Sequence, residues 1–400
     1  MQLKSLTLTD FRSFEQATFE FQPGMNLLVG INGVGKSSVL DALRIVLSRV
    51  LPNFTACQDK RLNFEVDDIM VGRDQLAVDL KFQAFDIPFV CNVTRGKNHK
   101  VEFKPDNKNI LEPLKSDDEQ PLVVYFSTRR SVPIEKVLNE KSSAGNQSAA
   151  FAEALTHRML RLREFAEWWL VQQTLLGEDA ALAQQRLKVM TNVVTRFLDW
   201  CTNLRAVDKP KTTLILDKDG MTIDVSQLSD GERGLLALVL DLARRLSQAN
   251  PNLKDPLENG KAVVLIDEID LHLHPRWQRT IVDQLIQTFP KCQFIATTHS
   301  PQIVGEVPAE SILLLESGQQ PFRPGQSLGM DSNWVLRYLM GAATRDSTTE
   351  QALSRIADMI ENEEYDEATN VIDDMRCQIG EFPELVRLQT RIDRIRLLGE

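Results

Sequence analysis

The sequence predicts an α/β fold organised around a buried sheet, and three short stretches carry that prediction. Ala262–Ile266 is a continuous apolar run rich in β-branched residues, and Met25–Val29 and Cys292–Thr297 are runs of similar length and character. Such runs fit strands covered on both faces. Each ends in polar residues, at the point where a buried strand reaches the rim of its sheet, and ligands of open α/β sheets gather at that carboxyl rim.

The Ala262–Ile266 strand ends in Asp267 and Glu268, within KAVVLIDEIDLHLHP. An aspartate there can hold Mg²⁺, and the next glutamate can take a proton from an attacking water. Read alone, the segment fits a solvated acidic turn as well, so the reading depends on a phosphate site elsewhere. The Met25–Val29 strand supplies one, because it runs into Gly30-Ile31-Asn32-Gly33-Val34-Gly35-Lys36-Ser37-Ser38, followed by helical periodicity over Val39–Val50. This is G-x-x-x-x-G-K-S in a strand–loop–helix context. Its glycines let backbone N–H groups turn toward phosphate oxygens, with the helix dipole behind them. Lys36 then reaches the β- and γ-phosphates of a nucleotide, and the Ser37 hydroxyl ligates Mg²⁺.

Composition bounds the remaining possibilities. Four hundred residues suggest two or three structural units, and 42% hydrophobic with 26% charged residues is ordinary for a globular protein. No apolar run is long enough to span a bilayer, and MQLKSLTLTD lacks a secretory apolar core, so a cytoplasmic protein without a membrane partner is expected. The five cysteines are scattered without a CxxC pair, which argues against disulfides and zinc. His272 and His274 lack a visible third metal ligand. A formal charge of −10 argues against a general nucleic-acid coat and leaves a local basic groove open.

Taken in order, Leu3–Leu8 alternates as a strand and Phe11–Phe14 turns the chain. Residues 53–115 read as a strand meander, clearest at Leu76–Phe82 and Phe89–Thr94. Arg95, Lys97, Lys100, Lys104, Lys108 and Lys115 either track a nucleic-acid backbone or are solvated; the interspersed Glu102, Asp106 and Glu112 favour solvation. Leu122–Phe126 is another buried strand, and Arg129 and Arg130 after it either meet phosphates or a facing subunit or lie on the surface. Ser142–Asn146 is a polar break before a helical block over about 149–204, whose Trp168–Trp169 pair fits packing rather than base stacking. Leu214–Val225 reads as a hairpin turning at Asp219-Gly220. Ser229-Asp230-Gly231-Glu232 opens a strong helix over Leu235–Leu246, where a small polar residue and a glycine can seat an anion; by itself Ser229 fits an ordinary helix cap better, and the position upstream of the acidic strand favours the anion seat. Trp277–Phe289 reads as one amphipathic helix. His299, after Cys292–Thr297, can contact a γ-phosphate. Pro321–Gly329 is linker-like and Trp334–Met340 is a short helix. Three apolar stripes follow, Ile356/Met359/Ile360, Ala368/Val371/Ile372/Met375 and Leu385/Leu388/Ile392/Ile395, which must cover the body or dock a partner.

The ordered set GINGVGKSS, LSDGERG, VVLIDEID and TTHSP, with the N-terminal DFRSF, resembles ABC-type ATPases of the structural-maintenance, RecF and OLD branch over most of residues 1–320. The resemblance implies an ABC-type P-loop ATPase head with a mixed sheet, a helical insert and a small C-terminal helical region. Its divisions are 1–135 and 209–320 for the two halves of the head, 136–208 for the insert and 321–400 for a partner-docking region. It also implies site roles. Gly30, Asn32, Gly33, Gly35, Lys36, Ser37 and Ser38 bind ATP, with Arg12 and Ser13 beside it. Ser37 and Asp267 hold Mg²⁺, Glu268 is the catalytic base and His299 the switch histidine. Ser229, Asp230, Gly231 and Glu232 act in trans on the nucleotide of an opposite subunit, with Asp270 at that dimer interface. The family's Q-loop glutamine is not apparent, and the Ser127–Arg130 turn is the best positional candidate.

What is missing narrows the branch. There are no long coils or zinc-binding CxxC of an arm-bearing repair ATPase, no toprim acidic pattern after residue 320, and no HNH histidine set. Nuclease activity in the chain itself is therefore not expected. Body and tail together resemble the PtuA family, ATPase subunits of Septu-type and retron-associated antiphage systems that work with a separate HNH nuclease; LGMDSNWVLRYLMG and GEFPELVRLQTRI carry the tail resemblance. That implies a homodimer closed on ATP, a higher oligomer and a DNA or retron RNA–DNA partner being further options, and a regulator of the nuclease. The alternative is a RecF-like repair clamp on DNA ends or gaps.

Overall fold

A computed structural model describes residues 1–97, 102–105, 119–131, 147–160, 162–177, 180–198, 201–343 and 345–398. The continuous apolar runs become the strands of one parallel sheet. Its members are β3 (Met25–Val29), β7 (Leu122–Phe126), β11 (Ala262–Ile266), β12 (Gln293–Thr298) and β13 (Ile312–Leu314), in the order β13-β3-β12-β11-β7. Every residue of these five strands is buried, as expected of a sheet covered on both faces. Register brings their ends level, with Ile266 opposite Phe126 and Ala296, and Thr298 opposite Val29.

The alternating stretches form a second, antiparallel sheet from β1 (Gln2–Phe11), β2 (Phe14–Glu20), β4 (Gln75–Ala84), β5 (Ile87–Gly96) and β6 (Glu102–Pro105), ordered β2-β1-β4-β5-β6. The helix Lys36–Val50 touches β4 and β5 on one side and β11 and β12 on the other, so it lies between the two sheets. A third sheet joins β8 (Cys201–Val207), β9 (Thr213–Lys218) and β10 (Met221–Asp224). The β9–β10 hairpin turns at Asp219 and Gly220, both at positive φ, as a two-residue turn matched to strand twist requires.

Three local expectations are corrected. The helical block does not run to Leu204: helices Gln147–Phe151, Leu162–Leu175 and Ala180–Phe197 give way to β8, whose Cys201 and Leu204 are buried. The stretch 277–289 is two helices, Pro275–Gln278 and Ile281–Thr288, separated at Arg279–Thr280. The meander begins at β4, and the segment before it is largely irregular, with two short 3-10 turns. The strand β2 between Phe14 and Glu20 went unread. Lys100, Lys108, Lys115, Asp106, Glu112 and Ser142–Asn146 lie outside the described residues.

The helix Asp230–Ala249 packs on β7 and on the helices 147–151 and 180–197. Its Asp241 is fully buried and pairs with Arg158 at 2.5 Å, and with Arg244 and Arg245 at 2.8 Å each. Arg245, also fully buried, donates to the carbonyls of Ala150 and Ala152.

The chain divides into two compact units, Met1–Val335 and Leu336–Glu400. Segment 321–335 packs within the first: Phe322 bridges to Leu314, and Ser327 Oγ donates to the Val307 carbonyl at 2.6 Å. In the second unit, helices Ser347–Glu361, Tyr365–Ile379 and Pro383–Leu398 bring Ile356, Ile360, Ala368, Ile372, Leu385 and Ile392 into a core of their own. The three stripes thus cover one another. Among the described residues, no helix is long and apolar enough to cross a membrane.

Candidate nucleotide site

The phosphate loop leaves β3 at Gly30 and enters its helix at Lys36. Close packing dictates two of its glycines. A Cβ at Gly30 would stand 2.5 Å from the Leu315 carbonyl oxygen; at Gly35, where φ is +105°, it would stand 2.6 Å from the Phe14 ring and 3.1 Å from Ser13 Oγ. The DFRSF segment therefore packs directly on the loop. Ile31, Asn32 and Gly33 are exposed at its tip, and no side chain caps the helix, so its first N–H groups stay open to an anion. Lys36 is buried and folds back to donate from Nζ to the carbonyls of Gly30 (2.7 Å) and Ile31 (2.9 Å). Burial lowers its pKa to about 8, partly offset by the nearby Asp267, Glu268 and Asp270.

The acidic end of β11 meets the loop from the adjoining strands. Asp267 Oδ1 accepts from Ser37 Oγ at 3.0 Å and from Thr297 Oγ1 at 2.8 Å. The same Thr297 oxygen accepts the Glu268 N–H at 2.7 Å. Glu268 has φ of +50°, in the left-handed region that a residue with a Cβ seldom occupies. Behind this pair, Arg130 is 5% exposed and donates to the carbonyls of Ser127, Asp267 and Glu268. Burial lowers its pKa to about 10, against the pull of Asp267, Asp270 and Glu268. Asp270 Oδ1 accepts from Thr298 Oγ1 at 2.7 Å and from the His299 N–H at 3.3 Å, and His299 itself is half-buried.

Arg12, also at positive φ, reaches the loop helix from β1–β2: Nη1 donates to Ser38 Oγ (3.1 Å) and Asp41 (2.9 Å), and Nε to Asp68 (2.9 Å). Burial works against its charge, and the bonds to Asp68 and Asp41 outweigh it, raising the guanidinium above its ordinary range. Ser13 is exposed beside Gly35.

Ser229 caps the helix Asp230–Ala249 in a reciprocal box: its Oγ accepts the Glu232 N–H, and the Glu232 carboxylate accepts the Ser229 N–H and O–H, each at 2.9 Å. Lys218 of β9 donates to the other Glu232 oxygen at 2.6 Å, and Asp230 pairs with Arg233. These partners hold the Glu232 carboxyl below its ordinary range despite burial. A Cβ on Gly231 would collide with the His272 carbonyl, so the turn after β11 lies hard against this helix. Ser229, Asp230, Gly231 and Glu232 line an open cleft of about 980 Å³ with His272, His274 and Trp277.

The fold thus gathers Lys36, Ser37, Asp267 and Glu268 at one rim, with Arg12 and Ser38 beside them, while Ser229–Glu232 face a separate cleft. Among the described residues no cluster of three or more His, Cys, Asp or Glu forms a metal site, His272 and His274 included. Sequence reasoning missed Thr297 and Thr298, although TTHSP contains both, and missed Lys218. Arg130 turns to the main chain of β11, whereas its neighbour Arg129 is exposed.

A buried parallel sheet, a glycine-rich loop entering a helix and a carboxylate pair on a neighbouring strand define a P-loop ATPase head. The chain belongs to the family described as "AAA domain, putative AbiEii toxin, Type IV TA system", which matches residues 25–305. It is similar to "Retron Ec83 probable ATPase" of Escherichia coli, at 27% identity over 86% of this chain and 77% of that protein. It is also similar to "Septu protein PtuA" of Bacillus thuringiensis, at 22% identity over 78% of this chain and 75% of that one. Among solved structures, an SMC head bound to the C-winged helix domain of ScpA shares the fold, with a TM-score of 0.51 and 15% identity, over 81% of this chain and 98% of that one.

Proposed function

We propose that this chain binds and hydrolyses ATP as the switch subunit of an antiphage defence complex and restrains a separate HNH-type nuclease until infection. The observation that carries the ATPase reading is the contact of Ser37 with Asp267, which joins the phosphate loop to the acidic strand. Similarity to a retron ATPase and to a Septu protein supports the defence role.

Lys36 leaves the loop carbonyls for the β- and γ-phosphates, and the loop amides hold the rest of the chain of phosphates. Ser37 and Asp267 present hard oxygen donors side by side, a set that suits Mg²⁺. When bound, the metal ion neutralises charge on the phosphate oxygens. Glu268 takes the proton of the attacking water, and His299 contacts the γ-phosphate. Ser229, Asp230, Gly231 and Glu232 close on the nucleotide of a second copy, with Asp270 at the junction, so that ATP joins two heads and hydrolysis parts them. Divisions at 1–135, 136–208, 209–320 and 321–400 give a two-part head, its insert and a partner-docking region. Cleavage of nucleic acid belongs to the partner.

The test is phosphate release and sedimentation of wild type and Glu268→Gln with ATP. Wild type turns over and dimerises transiently, while Glu268→Gln loses about 100-fold or more in rate and stays dimeric. Equal turnover in both would remove Glu268 from catalysis. Affinity purification of the tagged chain from its host should bring down a small HNH protein in stoichiometric amount. Isolation of the chain alone, with DNA affinity that rises with ATP and falls steeply with salt, would replace the switch by a DNA clamp.

A further inference from the structure

We infer that Arg130 is the positioning residue for Glu268, an inference that rests on the hydrolytic reading above. Glu268 sits at φ +50°, a conformation that costs free energy in a residue with a Cβ and persists only where its surroundings impose it. Two side chains impose it here. Thr297 Oγ1 accepts the Glu268 N–H at 2.7 Å, and the Arg130 guanidinium takes the carbonyl of Glu268 through Nη2 and that of Asp267 through Nη1. Two adjacent peptide planes are thereby fixed from behind, with the Asp267 carboxylate turned to the phosphate loop, where Ser37 meets it.

The guanidinium suits this task. Its planar fork spans two carbonyls at once, which a lysine ammonium on a flexible stem does with less geometric definition. A third bond, to the Ser127 carbonyl at 3.2 Å, holds the fork against its own turn, Thr128–Ser131. Among the described residues Arg130 forms no ion pair, so its hydrogen bonds go to main chain. At 5% exposure it presents almost no surface to a ligand. Its effect on catalysis therefore passes through the Glu268 main chain that it holds.

The experiment measures phosphate release, binding of a fluorescent ATP analogue and thermal melting in the full chain, for wild type, Glu268→Gln, Arg130→Lys, Arg130→Met and the double variant Arg130→Met/Glu268→Gln. Misplacement of a catalytic group by a fraction of an ångström to an ångström predicts a kcat loss of about 100-fold in Arg130→Met. Analogue affinity should change by less than about three-fold, since uniform binding is untouched. Arg130→Lys should restore part of the rate. Adding Arg130→Met to Glu268→Gln should lower the residual rate no further, because both act through one group. Should Arg130→Met fail to fold, Arg130→Lys decides: a variant that melts with wild type and turns over within about two-fold of it overturns the inference. A multiplicative loss in the double variant overturns it too. Failure of the hydrolytic reading looks different, since wild type and Glu268→Gln would then hydrolyse alike whatever stands at position 130.

Discussion

Ser37 and Asp267 stand 230 positions apart in the chain and meet at 3.0 Å, hydroxyl to carboxylate. Thr297 holds the same carboxylate oxygen from the neighbouring strand, so Asp267 is oriented toward the loop before any ligand arrives. Asp267→Asn and Ser37→Ala should each raise the Mg²⁺ concentration that half-saturates ATP turnover by about ten-fold or more, and chelation should stop wild-type turnover. Unchanged Mg²⁺ titrations in both variants would exclude these two residues as its ligands.

Lys36 supplies a pH signature. Burial lowers its pKa to about 8, so part of the population is neutral at pH 8. A polyphosphate beside the amine restores the charge, and ATP binding should take up a proton near that pH. Calorimetry in buffers of different ionisation enthalpy would detect it, and Lys36→Met should abolish it. For folding the sign is the reverse of an ordinary ion pair: the depressed pKa costs stability below about 8, and the cost fades between there and the ordinary lysine range near 10.4. A proton release on binding would contradict this account.

Gly231 offers a mutation whose effect is steric. Any Cβ there meets the His272 carbonyl, a backbone atom with little freedom to move. Gly231→Ala should cost about 1–3 kcal/mol in chemical denaturation, as overpacking does. It should displace the Ser229 cap from the turn after β11, lowering ATP-driven dimerisation more than ATP binding. Wild-type stability in the variant would mean that the two segments separate easily.

The buried Asp241 should govern acid stability. Burial opposes its charge, and Arg158, Arg245 and Arg244 overcome that opposition, holding the carboxyl well below its ordinary range. Its contribution is therefore present above the ordinary carboxylate pKa, near 3.9, and is lost as the pH falls below it. Asp241→Asn leaves three arginines around a neutral group and should cost about 3–5 kcal/mol at neutral pH. Urea denaturation at pH 7 and pH 2 measures both effects.

Much of the site could be read from local pattern, because its parts are local. A glycine-rich loop between a strand and a helix, and an apolar run closed by two carboxylates, each lie within some fifteen residues. The C-terminal stripes were visible for the same reason, although periodicity says which face is apolar and not what covers it. Arg130 was legible only as one of two arginines after a strand. Charged side chains are seldom buried, and its burial arises where the end of β7 lies beside β11, a pairing between segments far apart in sequence. The break at Arg279–Thr280 was hidden similarly, since apolar spacing continues across it while the helix is interrupted.

The level ends of the parallel strands have a consequence for how the protein is made. Ser37 emerges from the ribosome 230 residues before Asp267, and β3 waits for β12 and β13, its partners in the sheet. At ordinary synthesis rates that delay is roughly ten to fifty seconds. Through that interval the phosphate loop has neither its carboxylate nor the strands that cover its own, so the nascent chain can form the β1–β2 hairpin but not a working nucleotide site. The acidic end of β11 reaches the phosphate loop only late in synthesis, and β12 and β13 follow it to complete the sheet around the site.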